Sequence, residues 1–380
     1  MDDLDPAIGS ELPGLELATI GEEGVRPRFL RLSAADEGQR GSEEQRNRRR
    51  SGKACGRAVE ESPGSPRASP GLLGSGGPRG REGGTACYTS SRMELCDEVV
   101  IEPVRDRVGY RACERLQQEV WGFADVAVIP DHLIHMVTSA GGLLLGAFDG
   151  IGPGREMIGF TLSVVGLLAG TTLRHHSLMA AVRPDWQDRS IGYRLKCAQR
   201  ERVLAQGIRI ITWTFDPLES RNAHFNLNKL GGVVTEYLPN YFGELRDVRN
   251  RGIDTDRLLC QWHLDSPWAK GHLAGERPPA LALGDLETIN RTQRTATGLR
   301  APAGFRPDLR APNLLFEIPS DLQTVRRADL DLARTWRLEA RRALGAYLDE
   351  GYLVTSLFRQ GDRSFLVLEK ASLAQVLERP

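Results

Sequence analysis

Three features that would narrow the function at once are missing from this sequence of 380 residues. Its charges balance, with 50 lysines and arginines against 50 aspartates and glutamates, so composition gives no electrostatic argument for binding nucleic acid or an anionic membrane. Its most apolar segment, residues 157–170, is too short to span a bilayer. The six cysteines form no C-x-x-C pair and show no zinc-ligand spacing, which predicts reduced thiols in a cytoplasmic protein without a metal site.

Residues 1–92 contain little that can form a core. They are rich in Gly, Pro, Ser, Arg and Glu and have no sustained apolar period. Such a segment buries too little apolar surface to offset its chain entropy, so we predict that it is disordered. An alternative interpretation is that translation begins at Met93, directly before the first regular pattern.

The segment that the rest of the chain is organised around lies between residues 175 and 206. An apolar strand ending at Val182 is followed by a turn and by a helix that begins near Ile191 or Gly192. The loop that leads into the helix reads Gln-Asp-Arg-Ser-Ile-Gly, and its last N–H groups have the positive end of the helix dipole behind them. This arrangement favours a phosphate or diphosphate, the alternative being an ordinary strand-to-helix turn.

The spacing of apolar residues predicts a regular order of elements on both sides of this segment. It reads β-α-α-β-β before the central strand and α-β-α-β-β after it, up to residue 265. Residues 266–312 are again rich in Pro, Gly and Arg, and we interpret them as a linker or arm with one short strand. From residue 313 to residue 380 we predict a β-α-β-β extension whose helix covers about residues 330–350.

Two stretches carry a resemblance to a known family. The pattern Gln-x-x-Ser-x-Gly at residues 187–192 resembles the acyl-CoA diphosphate loop of the GNAT N-acyltransferase superfamily, Arg/Gln-x-x-Gly-x-Gly/Ala. Residues 221–231 are similar to its second signature, in which a helix ends in Lys-Leu-Gly before a strand. Ser190 departs from the pattern, and if its position needs positive φ the loop is strained there.

The resemblance covers about residues 96–265 and points to a bacterial GNAT subgroup with a C-terminal extension, some of whose members resemble acyltransferases that act on amino acids. The residues that carry it are Gln118 to Phe123, Thr212 to Pro217, Arg221 to His224 and Leu238 to Tyr241. It implies an α/β (α+β) GNAT fold over residues 93–265, in which helices flank a mixed central sheet and the extension docks on that core.

The resemblance also implies a binding site for acyl-CoA, with acetyl-CoA or succinyl-CoA as co-substrate. The pantetheine arm would lie where the central strand parts from the strand at residues 208–215, paired with the backbone of Ala180 and Val182. A main-chain N–H near Met179 or Ala180 would support the oxyanion of the tetrahedral intermediate. The residues implied around the rest of the cofactor are Gln187, Asp188, Arg189, Ser190, Ile191, Gly192, Tyr193 and Asn222.

Three residues near the expected cleft are candidates for the base that deprotonates the incoming amine: His176, Asp216 and Glu236. Each has a plain structural alternative, such as a core histidine or a turn aspartate. The sequence alone does not rank them.

The acid that protonates the leaving thiolate is also undecided in the sequence. In the position of the family's frequent tyrosine stands Leu227. Tyr237 or Tyr241 takes that role, or the thiolate leaves unaided. Arg174 and Arg221 are candidate anchors for a carboxylate on the acceptor.

Three classes of function therefore remain open in the sequence. The first is transfer to a small-molecule amine, such as an amino acid, by direct attack in a ternary complex. The second is a protein or peptide N-acetyltransferase, and the third is a non-catalytic acyl-CoA-binding module. We expect no nucleic-acid or membrane partner, and a monomer or a homodimer.

Overall fold

The structure, a computed structural model, describes residues 99–244, 251–276 and 286–379. The predictions for residues 1–92 and for a start at Met93 lie outside these ranges. Strands of the described residues are β1 (Val99–Pro103), β2 (Leu143–Asp149), β3 (Met157–Leu168), β4 (Thr172–Val182), β5 (Ile210–Phe215), β6 (Val233–Leu238), β7 (Arg257–His263), β8 (Glu287–Thr288), β9 (Asn290–Arg294), β10 (Arg300–Phe305), β11 (Asn313–Ile318), β12 (Leu353–Gln360) and β13 (Arg363–Glu369).

The helices lie between and after these strands in the chain. They are α1 (Arg107–Trp121), α2 (Asp131–Ser139), α3 (Ile191–Ala205), α4 (Ser220–Ala223), α5 (Pro267–Ala274), α6 (Leu322–Ala328), α7 (Leu330–Asp349) and α8 (Leu373–Leu377). The short α4 continues as a π-helical segment, His224–Lys229. No helix among the described residues is both long and apolar enough to cross a membrane.

Eleven strands form one mixed sheet in the order β1-β2-β3-β4-β5-β7-β6-β12-β13-β11-β8, and β9 and β10 form a separate hairpin. Within it β4–β5 and β8–β11 are the parallel pairs of the described chain. From β1 to β7 the order of strands and helices is the predicted one, so the expected mixed sheet flanked by helices is confirmed.

Helices cover the N-terminal half of this sheet on both faces. Successive side chains of a strand point to opposite faces, and in β2 the neighbours Leu144 and Leu145 are buried in different clusters. The cluster of Leu144 includes residues of α1 and α2, and that of Leu145 includes Ile191 and Leu195 of α3. The central helix α3 therefore packs on the face opposite α1 and α2.

The C-terminal segment extends the same sheet. In β12, Val354 pairs with Val234 of β6, and β13 and β11 follow in antiparallel order. The predicted strands and the long helix at residues 313–369 agree with β11, α7, β12 and β13 to within a few residues. The domain boundaries proposed at residues 265 and 313 stay predictions. Strands from both sides of them, β6 and β12, belong to one sheet, so the sheet does not mark a division there.

One helix interrupts the segment interpreted as an arm. Helix α5 begins after Ser266, whose side chain accepts a hydrogen bond from the N–H of Ala269 at 3.2 Å, and it has Pro267 at its first position. Ser followed by Pro is a helix-start signal that local reading of this Pro-rich stretch passed over. Its buried Trp268 packs with Val233 of β6 and Leu353 of β12.

Candidate active site

The gap that the sequence predicts as the cleft lies where β4 and β5 part. The parallel ladder between them contains two pairs, His175 with Ile211 and His176 with Thr212. In the described part of the chain no further pair follows, so the β5-facing edge of β4 from Ser177 onward is left without a neighbouring strand. An extended ligand can pair with such an edge as an added strand does.

A bulge adds to the irregularity of β4 at this point. The register with β3 shifts by one residue between Ser177 and Met179, so Leu178 has no partner in the ladder. Bulges bend a strand and re-aim its backbone groups, and they are frequent beside active sites. The predicted pantetheine contacts Ala180 and Val182 follow directly after the bulge, on the free stretch of β4.

The loop at residues 187–192 is shaped by two non-glycine residues with positive φ, Asp188 at 63° and Ser190 at 60°. Ser190 is the N-cap of α3, and its side chain caps no N–H of the first turn. The first turn contains no acidic residue. The N–H groups at this end of α3 therefore meet the two physical requirements of an anion site, unpaired donors and the positive end of a helix dipole.

Side chains around the loop hold its shape. Gln187 donates from Nε2 to the carbonyl oxygen of Val182 at 3.1 Å, which returns the loop to the end of β4. The guanidinium of Arg189 lies over the ring of Trp186, 4.6 Å from its centroid. Of the residues expected at the cofactor, these two therefore have structural contacts of their own.

Contacts also connect the loop with α4 and α5. Arg221 of α4 donates to Asp188 at 2.5 Å, with both side chains exposed. Asn222, the residue after Arg221, is exposed, and its cofactor role stays a prediction. The hydroxyl of Tyr193 donates to the carbonyl oxygen of Leu273 at 3.3 Å, so this side chain contacts α5. The predicted cofactor contact of Tyr193 then falls to its backbone N–H.

At the apex, where the ladder ends, three polar side chains meet. His176 Nδ1 lies 2.9 Å from Thr212 Oγ1 and 3.5 Å from the guanidinium of Arg174, which also donates to Thr212. Burial, followed by the positive charges of Arg174 and Lys196, lowers the pKa of His176 to about 4. The imidazole is therefore neutral at physiological pH.

The structure does not bring the other two candidate bases to this apex. Both carboxylate oxygens of Asp216 accept hydrogen bonds from the buried Arg337 of α7. Glu236 is exposed on β6, which β7 separates from β5, a spacing of about 10 Å. His176 is thus the base candidate that the geometry favours.

The substitutes for the missing tyrosine are also elsewhere. Leu227 is fully buried in the main core. Tyr237 donates to Asp256 at 2.7 Å, and burial together with that carboxylate raises its pKa well above the usual value. Tyr241 is exposed and packs edge-on against Phe242. Within the described part of the chain, neither tyrosine contacts a residue at the apex.

One residue at the apex was not predicted. Lys196 of α3 is 4% exposed, and its ammonium lies 2.6 Å from Gln199 Oε1 and 4.2 Å from the ring centroid of Trp213. Helical spacing alone could have predicted that Lys196 is buried. It precedes Gln199 by three residues and Val203 by seven, so it lies on the buried face of α3. The described ranges contain no group of three or more His, Cys, Asp or Glu side chains placed to hold a metal ion.

GNAT acyltransferases share one architecture. They have a mixed sheet whose fourth and fifth strands part, and the helix beside this gap starts with an anion-binding loop. Residues 99–263 of this chain have that fold. The resemblance noted in the sequence is thereby confirmed at the level of the fold.

Comparison with protein-family models finds no match, and comparison with curated protein sequences finds none either. Among solved structures, the ribosomal-protein-S18-alanine N-acetyltransferase from Escherichia coli is similar over 44% of this chain and 94% of its own, with 14% identity and a TM-score of 0.34. A GNAT family acetyltransferase from Elizabethkingia anophelis with acetyl-CoA bound is similar over 44% and 99%, with 17% identity and a TM-score of 0.33. An aminoglycoside acetyltransferase from an uncultured soil metagenomic sample is similar over 33% and 83%, with 15% identity and a TM-score of 0.30. Similarities of this size leave the acceptor undetermined.

Proposed function

We propose that this protein is an N-acyltransferase that transfers an acetyl or succinyl group from acyl-CoA to the amine of a small molecule, with amino acids as the leading class. The observation that carries the proposal is the free edge of β4 between the apex and the loop at residues 187–192. One end of this path fits an extended amide-bearing chain and the other fits a diphosphate.

Acyl-CoA binding follows from that path. The two amides of the pantetheine arm pair with the backbone of Ala180 and Val182, and the diphosphate accepts hydrogen bonds from N–H groups between Ser190 and Tyr193. Asp188 and Ser190, both with left-handed backbone, shape the loop that precedes these groups. The thioester then lies near the apex, within reach of the main chain of Met179 and Ala180, which supports the oxyanion.

The reaction needs no covalent enzyme intermediate. The amine attacks the thioester carbon, the new C–N bond forms, and the C–S bond breaks after the tetrahedral intermediate collapses. Holding the two reactants together supplies much of the acceleration. The neutral imidazole of His176 accepts a proton from the amine, directly or through one water, and its low pKa makes it pass that proton on to solvent.

Arg174 is the proposed anchor for a carboxylate on the acceptor. No carboxylate of the described residues pairs with it, and its buried Nε has no hydrogen-bond partner there. The other candidate, Arg221, is held by Asp188. An amino acid has its carboxylate two bonds from the attacking nitrogen, so an anchor beside His176 places that nitrogen at the apex.

The C-terminal extension favours a small acceptor over a protein. Arg337 of α7 contacts Asp216, the residue that follows β5, so α7 covers the sheet next to the cleft. A protein acceptor needs an open groove there. We therefore place peptide and protein acceptors second.

Isothermal titration of CoA and acetyl-CoA into the full chain tests the proposal. We expect micromolar binding that Gly192→Trp abolishes, because a Cβ at this position has only Val182 within 4 Å and the large ring then fills the loop. Gly345→Trp, the same change at a helical glycine of α7 with open space around it, is the matched control and retains binding. A folded wild-type protein that binds neither ligand would overturn the proposed function.

A further inference from the structure

Lys196 has an unusual position relative to the two parting strands. The last residues paired between β4 and β5 are His176 and Thr212. The next residue on each strand contacts the Lys196 ammonium, with Ser177 Oγ at 3.4 Å and the Trp213 ring centroid at 4.2 Å. The ammonium therefore bridges the first unpaired residues of both strands, on the α3 side of the apex.

The surroundings of this ammonium contain a polar acceptor but no counter-charge. Its closest contact is the neutral Gln199, and the second aromatic ring near it is Trp262 of β7, at 5.7 Å. The titratable groups that interact electrostatically with the ammonium are Cys260 of β7 and His176 of β4. No carboxylate among the described residues forms an ion pair with it, so a buried amine lies at the apex with its charge uncompensated.

The apex is therefore polar on two sides with different chemistry. On one side His176 and Arg174 meet at Thr212, and on the other Lys196 lies behind Ser177. The acceptor amine approaches the first side under the proposed function. The sulfur of a pantetheine arm that runs along β4 toward the apex then ends beside the second.

We propose that Lys196 is the acid that protonates the departing CoA thiolate, an inference that rests on the proposed acyltransferase function. The C–S bond of the tetrahedral intermediate breaks, the sulfur keeps the electron pair, and a proton moves from the Lys196 ammonium to the sulfur. The products are free CoA thiol and neutral Lys196, which regains a proton from solvent before the next cycle. In this role Lys196 replaces the tyrosine whose position Leu227 occupies.

The titration of Lys196 is consistent with this role. Burial lowers its pKa to about 7, and the nearby Cys260 acts weakly in the opposite direction. An acid of this pKa is available in its charged form near neutrality and gives up its proton readily to a thiolate, whose conjugate acid has a higher pKa.

Binding of CoA and of desulfo-CoA to the full chain tests the proposal without knowledge of the acceptor. If Lys196 Nζ lies beside the sulfur, the neutral amine accepts a hydrogen bond from the S–H of bound CoA, so wild-type protein binds CoA about three- to tenfold more tightly than desulfo-CoA at pH values above 7. This preference weakens below pH 7, where the amine is charged and cannot accept. In Lys196→Met, a change of similar volume, the preference and its pH dependence disappear while the affinity for desulfo-CoA is retained.

The outcomes separate the two proposals. Equal affinity of wild-type protein for both ligands across this pH range would overturn the role of Lys196 and leave the acyl-CoA site intact. Failure to bind either ligand would overturn the proposed function instead. The wild-type comparison needs no variant, so it decides the matter even if Lys196→Met fails to fold, and Lys196→Gln provides a second variant.

Discussion

Arg337 donates to both carboxylate oxygens of Asp216, at 2.9 and 2.5 Å, although 121 residues separate the two positions. Both side chains are buried, and the pair connects α7 of the C-terminal segment with the end of β5. A second pair from the same helix, Arg341 with Asp256, lies at the start of β7. The extension is thus attached to the acyltransferase fold by buried charges as well as by the sheet.

Breaking the first pair is expected to destabilise the protein strongly. Asp216→Asn leaves the Arg337 guanidinium buried without its counter-charge, which costs about 3–5 kcal/mol in the free energy of unfolding. Asp331→Asn is the matched control, because Asp331 pairs with Arg334 on the exposed face of the same helix, and we expect a loss below about 1 kcal/mol. Urea unfolding at neutral pH measures both. Equal effects of the two changes would contradict a structural role for Asp216.

A pH series on wild-type protein and Lys196→Met reports the burial of the amine. The pKa of Lys196 is lowered from 10.5 to about 7 in the folded state, so between these values the unfolded chain binds more protons than the folded one. The free energy of unfolding of the wild type therefore rises relative to the variant as pH increases through that window. Urea unfolding at several pH values measures the difference, and a constant difference would show that the amine is not buried as described.

The same variant is expected to change His176. Because the charge of Lys196 is one of the causes that lower the pKa of this imidazole, its removal raises that pKa from about 4 toward the ordinary value of 6.5. Titration of the imidazole by NMR measures the change. An unaltered midpoint would mean that the two groups do not interact across the apex.

Ser190 tests the strain in the loop. Its φ of 60° is readily adopted by glycine, so Ser190→Gly removes a strained non-glycine conformation and stabilises the protein by about 0.5–1 kcal/mol. Ser190→Ala is the control, since it removes the hydroxyl and keeps the strain. We expect CoA binding to persist in Ser190→Gly. A loss of stability on that change would contradict the described backbone.

Arg174 tests the class of acceptor. If it anchors a carboxylate, Arg174→Met lowers kcat/KM for amino acids at least about tenfold more than for the corresponding amino acid amides, the size of a lost charge-assisted hydrogen bond. Steady-state assays with each amino acid and its amide measure this. Equal losses for both members of a pair would mean that the arginine positions His176 and does not bind the acceptor.

Local patterns predicted the parts of this protein that depend on neighbours in sequence. The strand ending at Val182 and the start of α3 at Ile191 follow from turn and capping chemistry within a few residues. The strain at Ser190 is expected from the family pattern, which has glycine at this position, and its φ of 60° agrees with that expectation. The residues that local patterns missed depend on distant partners. Asp216, a predicted candidate base, pairs with Arg337 of the distant helix α7, and Lys196 becomes a candidate acid because β4 and β5 part beside it.

The antiparallel pairing of Val234 with Val354 also covers the edge of β6. Without β12, the N–H and C=O groups of β6 would form an open border to which strands of other copies can add, leading to aggregation. Ending the chain after residue 265 would therefore remove β12, which covers the edge of β6, and also Arg337, the counter-charge of Asp216. In this architecture the segment after residue 265 therefore also covers a sheet edge that would otherwise be open.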